Sequence, residues 1–351
     1  MIRVAALTSG RNVPSARFRV RQHIDPLRWW GIDVVESVPR IDAYRAIPWD
    51  PASRLGRFAL RALYQGLIAG KTLSRLPGVL ASRRADVTWL ERGLLPGRLT
   101  LEPLLGTPLV LDVDDAIWMH GRQAERAAAD TASRAAIVFA GNAFLAEWFS
   151  RYCRDVRVIP TAVDTDRFGI AGEGSRYDRF TIVWTGTSSN LPYLYAIEPA
   201  LERFLAGREA ELLVVSERAP RFRTIDSSRV RFVRWSPATE ASAIGRAQVG
   251  VMPLGTSDWD RGKCSFKMLQ YMACGLPVVA TPTGMNRDLL EMDDIGFGPS
   301  SESEWVDALM ALESDPDGAR RLGSNGRKLV ETRFSRNVVS VQIRDAFRSL
   351  R

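Results

Sequence analysis

Histidine occurs twice and cysteine three times among the 351 residues of this chain, and neither is spaced as a ligand set. Cys153, Cys264 and Cys274 are odd in number and lack metal-ligand spacing, which argues against a disulfide framework and against a zinc site. No apolar run reaches the roughly 18 residues that a spanning helix needs. The chain also enters the strand-like "IRVAAL" without a basic segment followed by an apolar one. The expected location is therefore cytoplasmic. Repeats and low-complexity tracts are missing as well. One shortage is local: residues 51–85 hold seven Lys or Arg and no Asp or Glu, a large share of the basic excess behind the net charge of +8. Nucleic acid, an anionic membrane surface or an acidic substrate could each answer it. Arg54, Arg57 and Arg61 recur there at helical spacing, with Leu55, Phe58, Ala59, Ala62 and Leu63 on another stripe. That pattern suits either peripheral attachment to anionic lipid or a solvated helix face. No nucleic-acid-binding module accompanies the charge, so nucleic acid is not an expected partner.

What is present has the composition of a globular protein, with 46% hydrophobic and 25% charged residues, at a length that favours two domains. Short β-branched runs alternate with helical patterns from end to end. The first series of expected strands covers 3–8, 33–37, 87–90, 109–113, 137–140 and 156–160, and the second covers 180–186, 211–216, 230–235, 249–254 and 277–281. Near-continuous apolar strands separated by helices indicate parallel sheets covered on both faces. The expectation is an α/β protein of two Rossmann-like domains, 1–166 and 180–333. A polar, glycine-bearing linker at 167–179 joins them, and an amphipathic helix at 334–351, opened by Ser335 and carrying Val338, Val341 (or Gln342), Ala346 and Leu350 near one stripe, crosses back to the first.

The stretch "DRGKCSFKMLQYMACGLPVVATPTG" (260–284) runs from a basic loop through a helix to a strand. Ser265 reads as the N-cap, Phe266 to Cys274 as the helix, and Gly275 as its stop. Phe266, Leu269 and Met272 or Ala273 should face the sheet, leaving Lys267, Gln270, Tyr271 and Cys274 on another stripe. A helix N-terminus carries about half a positive charge, so each added cation costs roughly 0.3–1 kcal/mol there. Arg261, Lys263 and Lys267 at that end make sense if an anion docks, phosphate above all; otherwise they are a solvated basic loop. "VWTGTSSNLPYL" (183–194) likewise leaves a strand through Gly186, Thr187 and Ser188 into a helix, a second anion cradle. Two such turns in one doubly wound sheet fit a nucleotide diphosphate at the carboxyl ends of the strands.

These residues resemble a known family. "GKCSFKMLQYMACGLPVVATPTGMNRDLLE", "NAFLAEWFSRYCRDVRVIPTAVDTDRF" (142–168) and "FTIVWTGTSSNLPYL" are similar to the family 4 (group 1) glycosyltransferases of the GT-B fold, from about residue 109 onward. "SARFRVRQHIDPLRWWGIDVV" (15–35) is similar to one sub-branch. The resemblance implies two Rossmann-like domains facing a central cleft. It further implies a retaining, metal-independent transfer from a nucleotide-diphosphate sugar on the second domain to a glycan or lipid-linked acceptor on the first, without a cofactor. It places Gly284 and Met285 in the glycine turn that closes the signature. Two glutamates of the family's pattern are missing: Gly262 stands at the first and Gln270 at the second. Gln270 can still bond a ribose hydroxyl, and Asp258 or Asp260 is the candidate to replace the first. The family's Arg/Lys pair after Gly186 is absent too, which shifts the leaving-group charge onto Arg261, Lys263 and Lys267.

Three further clusters carry expectations. "LDVDDAIWMH" (111–120) ends a strand on Asp112, Asp114 and Asp115, which read as a metal or general-base cluster or as helix caps. By resemblance Asp114 or Asp115 occupies the place of the family's cleft histidine, with Asp115 orienting acceptor or donor sugar. Gly10, Ser15 and Arg17 form the acceptor side, against the ordinary fate of such arginines as surface ion pairs. Trp235 stacks on the donor base or packs in the core. The scarcity of histidine counts against a sugar-nucleotide epimerase on the same plan, and the absent glutamates keep a non-catalytic sugar-nucleotide-binding subunit as the rival from another class.

Overall fold

A computed structural model of the chain describes residues 1–44, 54–172 and 174–351, without the side chains of 54–59. The described residues divide into two compact units, one formed by Met1–Thr161 with Val339–Arg351 and the other by Ala162–Val338.

The first unit is built on a parallel six-stranded sheet of β1 (Ile2–Leu7), β2 (Ile32–Ser37), β3 (Val87–Glu91), β4 (Leu109–Val113), β5 (Ile137–Ala140) and β6 (Val156–Val158), in the order β2-β1-β3-β4-β5-β6. β3, β4 and β5 are buried along their whole length, as their unbroken apolar runs require. The C-terminal helix, Arg336–Arg348, belongs to this unit from Val339 onward. Its buried stripe is Val339, Ile343, Ala346 and Phe347; of the expected positions Ala346 is buried, while Val338 and Leu350 are half-buried. Phe347 sits edge-on to Trp89 with ring centroids 5.3 Å apart and 6.0 Å from Phe139. His23 reaches Ser340 Oγ at 2.7 Å and is buried, so it belongs to this internal packing.

The second unit carries β7 (Phe180–Thr185), β8 (Ala210–Ser216), β9 (Val230–Arg234), β10 (Val249–Met252), β11 (Val278–Ala280) and β12 (Gly296–Phe297) in the order β12-β11-β10-β7-β8-β9, all parallel. Counted from β7 this is the order 3-2-1-4-5-6, whose switch point lies between β7 and β10. The unit begins at Ala162, ahead of the expected linker at 167–179, and Val163, Asp164 and Tyr177 are bonded within it. Val163 and Phe334 share a backbone bond, Arg336 pairs with Asp164 at 2.7 Å, and Tyr177 N–H donates to Arg246 O.

Replacing Phe347 by Ala should destabilise the first unit by about 3–5 kcal/mol, read as a lower urea midpoint. An unchanged midpoint would mean that the last helix contributes little to this core.

Candidate functional site

Helix Phe266–Ala273 follows β10 and lies across the sheet. Tyr271 is fully buried, its ring rests where any side chain on Gly250 of β10 would stand, and its hydroxyl accepts the Thr185 N–H at 3.0 Å. Burial raises the Tyr271 hydroxyl well above its ordinary range, which keeps it a neutral acceptor and donor. Met268 to Cys274 are all buried, so the helix has no outer polar stripe beyond its first turn. Gly275 ends it in the left-handed region at φ 68°, as expected of a glycine stop.

At the other end the expected cap is not made. Ser265 stands at the N-cap position but in the left-handed region at φ 48°, without a side-chain bond to the helix. Its hydroxyl donates instead to Asn286 Oδ1 at 2.7 Å, and Asn286 in turn donates to Thr281 O, tying the helix start to the turn after β11. No acidic residue lies in the first turn. The preceding helix Asp258–Arg261 is capped fully, with Ser257 and Asp260 forming a reciprocal box. Asp260 also accepts from Tyr193 at 2.5 Å and is buried, so its carboxylate is already engaged. Asp258 is exposed and pairs with Arg261 at 3.0 Å.

Three loops meet at this helix start. Lys267 lies along Gly186, where a Cβ would fall 2.9 Å from Lys267 Cε and 2.8 Å from the Trp184 ring. Gly284 has φ 54°, and a Cβ there would fall 2.7 Å from Arg261 O, so only glycine lets the turn after β11 close on the basic loop. Lys263 Nζ sits 4.3 Å from the centre of the Trp259 ring. Met285 is buried beneath the turn. The residues singled out at 186, 261–267 and 284–285 are thus brought together.

Other expected residues have different surroundings. Gln270 is buried and gives its amide to Glu240 Oε1 at 2.8 Å, with Arg167 on the other oxygen. The Ser188 N–H, expected to be open to an anion, already donates to Glu217 Oε2 at 2.7 Å. Thr187 Oγ1 accepts from Asn190 and meets Ser189. Trp235, at the end of β9, is half-buried rather than part of the core. Glu217 itself was missed by the sequence reading; a carboxylate directly after the second strand of a Rossmann-type half was the available signal.

In the first unit the carboxyl ends of β1, β3 and β4 hold a charged network. Asp112 is buried and binds Arg19 at 2.7 Å and the Trp89 Nε1–H at 3.0 Å; burial pushes its carboxyl up to about 6 while Arg19 pulls the other way. Asp114 and Asp115 turn instead to Arg92, at 2.6 and 2.7 Å. The three aspartates therefore do not converge on one point. Burial works against the charge on Arg92, but Asp114, Tyr44 and Asp115 outweigh it and raise the guanidinium further above its ordinary value. Ser15 is buried and donates to Glu91, which also accepts the Ser9 N–H, while Gly10 makes room for Asp42. Arg17 stacks on Phe18, whereas Arg19 and Arg21 form ion pairs with Asp112 and Glu36.

Within the acid-free stretch, Arg54–Ser82 is helical. The side chains of Arg54, Leu55, Arg57, Phe58 and Ala59 lie outside the described residues. Of the other basic groups, Lys71 and Arg75 are buried, donating to Ala43 O and Thr8 O, while Arg61, Arg83 and Arg84 are exposed with Leu63, Leu73 and Leu80. Among the described residues no helix is long and apolar enough to cross a membrane.

Residues 179–315 match the family model described as "Glycosyl transferases group 1". No curated relative matches the chain. Among solved structures, a sucrose-phosphate synthase from Thermosynechococcus elongatus is similar at a TM-score of 0.70 and 14% identity, over 100% of this chain and 99% of the other. Anabaena HepE, solved in complex with UDP and glucose, is similar at 0.70 and 15%, over 99% and 100%. A glycosyltransferase from Rickettsia africae is similar at 0.65 and 11%, over 99% and 98%. The shared fold is GT-B, in agreement with the two parallel six-stranded sheets.

Gly284→Ala should destabilise the second unit by about 1–3 kcal/mol, since it adds backbone strain and a clash with Arg261. Urea unfolding reads this directly, and a variant as stable as the parent would contradict the close approach.

Proposed function

We propose that this chain, a glycosyltransferase of the GT-B fold with a group 1 domain in its second unit, moves a sugar from a nucleoside diphosphate sugar to a glycan, lipid-linked or other small acceptor. Transfer proceeds with retention, in envelope polysaccharide or glycoconjugate synthesis. The observation that carries the donor half is the start of helix Phe266–Ala273, which lacks a side-chain cap and any acid in its first turn while Arg261, Lys263 and Lys267 surround it. Backbone N–H groups, the helix dipole and cations together favour a diphosphate there. UDP and UDP-glucose in the HepE structures support a nucleotide of this kind.

In this reading the diphosphate rests on the helix start, and Lys263 and Lys267 take up the charge that develops on the leaving group as the glycosidic bond breaks. No metal or cofactor is needed for that step. Gly186, Gly284 and Met285 shape the seat, and Trp235 stacks on the base. On the first unit Asp115, held by Arg92 beside Asp114, orients the acceptor hydroxyl or the donor sugar, and Gly10, Ser15 and Arg17 form the acceptor side. The exposed face of Arg54–Ser82, with Arg61, Leu63, Leu73 and Leu80, rests on an anionic membrane at the cytoplasmic side, each basic residue adding about 1 kcal/mol.

Lys267→Ala should weaken nucleoside diphosphate binding about 10- to 100-fold by calorimetry. Asp115→Asn should leave that binding intact and slow transfer about 100-fold. A Lys267→Ala variant that binds as tightly as the parent would remove the donor site proposed here. For the membrane face, phosphatidylglycerol vesicles should sediment the protein at low salt and release it at high salt, and indifference to anionic lipid would end that part of the proposal.

A further inference from the structure

The carboxylate at Ser188 raises a question of charge. Glu217 occupies the N–H that a phosphate would use in the turn after β7, and it is exposed. Two anions cannot share that turn without a large repulsive cost. The diphosphate is therefore kept to the other side of Gly186, at the start of Phe266–Ala273, and what reaches Glu217 is a neutral part of the ligand that offers hydrogen-bond donors.

Three observations say which part. First, β8 is the second strand in a sheet of order 3-2-1-4-5-6, and Glu217 follows its last residue, Ser216. In dinucleotide-binding sheets of this order an acidic residue beyond the first turn takes a ribose hydroxyl, and Glu217 stands in the comparable place. Second, Glu217 is fixed through one oxygen only: Oε2 accepts from the Ser188 N–H at 2.7 Å and from Ser216 Oγ at 3.3 Å, and among the described residues none is bonded to Oε1. A carboxylate held at one oxygen and open at the other suits a vicinal diol. Third, Gln270, expected to meet the ribose, is buried and gives its amide N–H to Glu240, which leaves the ribose needing a further, more accessible contact.

The geometry of the sheet agrees with this order of groups. β10, β7, β8 and β9 are consecutive neighbours about 4.8 Å apart, so their carboxyl ends present in line the helix start with its cations, Gly186, Glu217 and Trp235. A nucleotide laid along them would set diphosphate, ribose and base over these in sequence. We propose that Glu217 binds the ribose hydroxyls of the donor nucleotide and sets the preference for ribonucleotide over deoxyribonucleotide. This rests on the donor site proposed above.

The test uses the full chain with UDP, ADP and GDP as probes, each with its 2′-deoxy and 3′-deoxy counterparts, in calorimetric titrations. For the tightest of the three, loss of at least one ribose hydroxyl should weaken binding to the parent protein about 10- to 100-fold, the range for a charge-assisted hydrogen bond. Glu217→Ala should bring ribo and deoxy forms to within about two-fold of each other. Glu217→Gln keeps an acceptor for Ser188, so it should unfold like the parent while its discrimination falls between those of the parent and Glu217→Ala, which separates ligand contact from a role in holding the turn. If the parent prefers the ribonucleotide and both variants keep that preference, Glu217 only caps the turn and the inference falls while the donor site stands. A parent indifferent to the deoxy change overturns it in the same way. If none of the three nucleotides binds, the donor site falls and this inference with it.

Discussion

The seating of Tyr271 over Gly250 is the constraint on which the second unit's site depends. A bare backbone at position 250 lets the ring come down onto β10, and the Thr185 N–H fixes the hydroxyl end. One side chain thereby joins the helix to the two strands that flank the switch point. With the helix pinned there, its first turn has to open beside the end of β7, and Lys267 has to run along Gly186. Ser265 and Asn286 complete the arrangement from the β11 side. The helix start is thus positioned by neutral contacts rather than by its neighbouring cations.

Both units pair arginines with carboxylates, but the deepest pair lies in the first. In the first, arginines are matched to carboxylates inside the structure: Arg19 with Asp112, and Arg92 with Asp114 and Asp115. Such pairs define geometry more than they stabilise, because desolvation offsets much of their attraction. Arg92 also adopts the left-handed region at φ 62°, a conformation that side chains other than glycine rarely take. Its backbone N–H donates to Asp112 O while its guanidinium grips the next two carboxylates of the same loop. In the second unit the carboxylates of Asp260 and Glu240 are drawn into internal bonds. The first turn of helix Phe266–Ala273 carries no acid of its own.

Much of the architecture was legible because parallel sheets demand unbroken apolar strands, and those runs stand out in the sequence. Gly275 was readable as a helix stop for a similar reason: few residues serve there. The burial of Gln270 and Tyr271 was not readable, since an amphipathic stripe was expected on a helix that is covered on nearly all sides. Nor could Ser265 be told from a true cap, because the residue type is right and only its backbone angle is wrong. The aspartates show the same limit. Spacing placed them at the end of one strand, but their partners, Arg19 and Arg92, come from other segments that only folding brings near. Glu217 was overlooked although it directly follows the expected strand 211–216, because a single carboxylate stands out only once the strand order makes that strand second in the sheet.

The division of the chain also bears on the order in which it is made. The second unit is contiguous, Ala162–Val338, whereas the first needs Val339–Arg351 to cover Trp89 and Phe139. During synthesis the N-terminal sheet emerges early yet lacks Phe347 until the whole of the other unit has left the ribosome. Domains usually complete in the order of translation; here the half translated first is finished last, and an apolar face of its sheet waits uncovered in the meantime. Nascent chains arrested before Val339 should be the ones that chaperones retain.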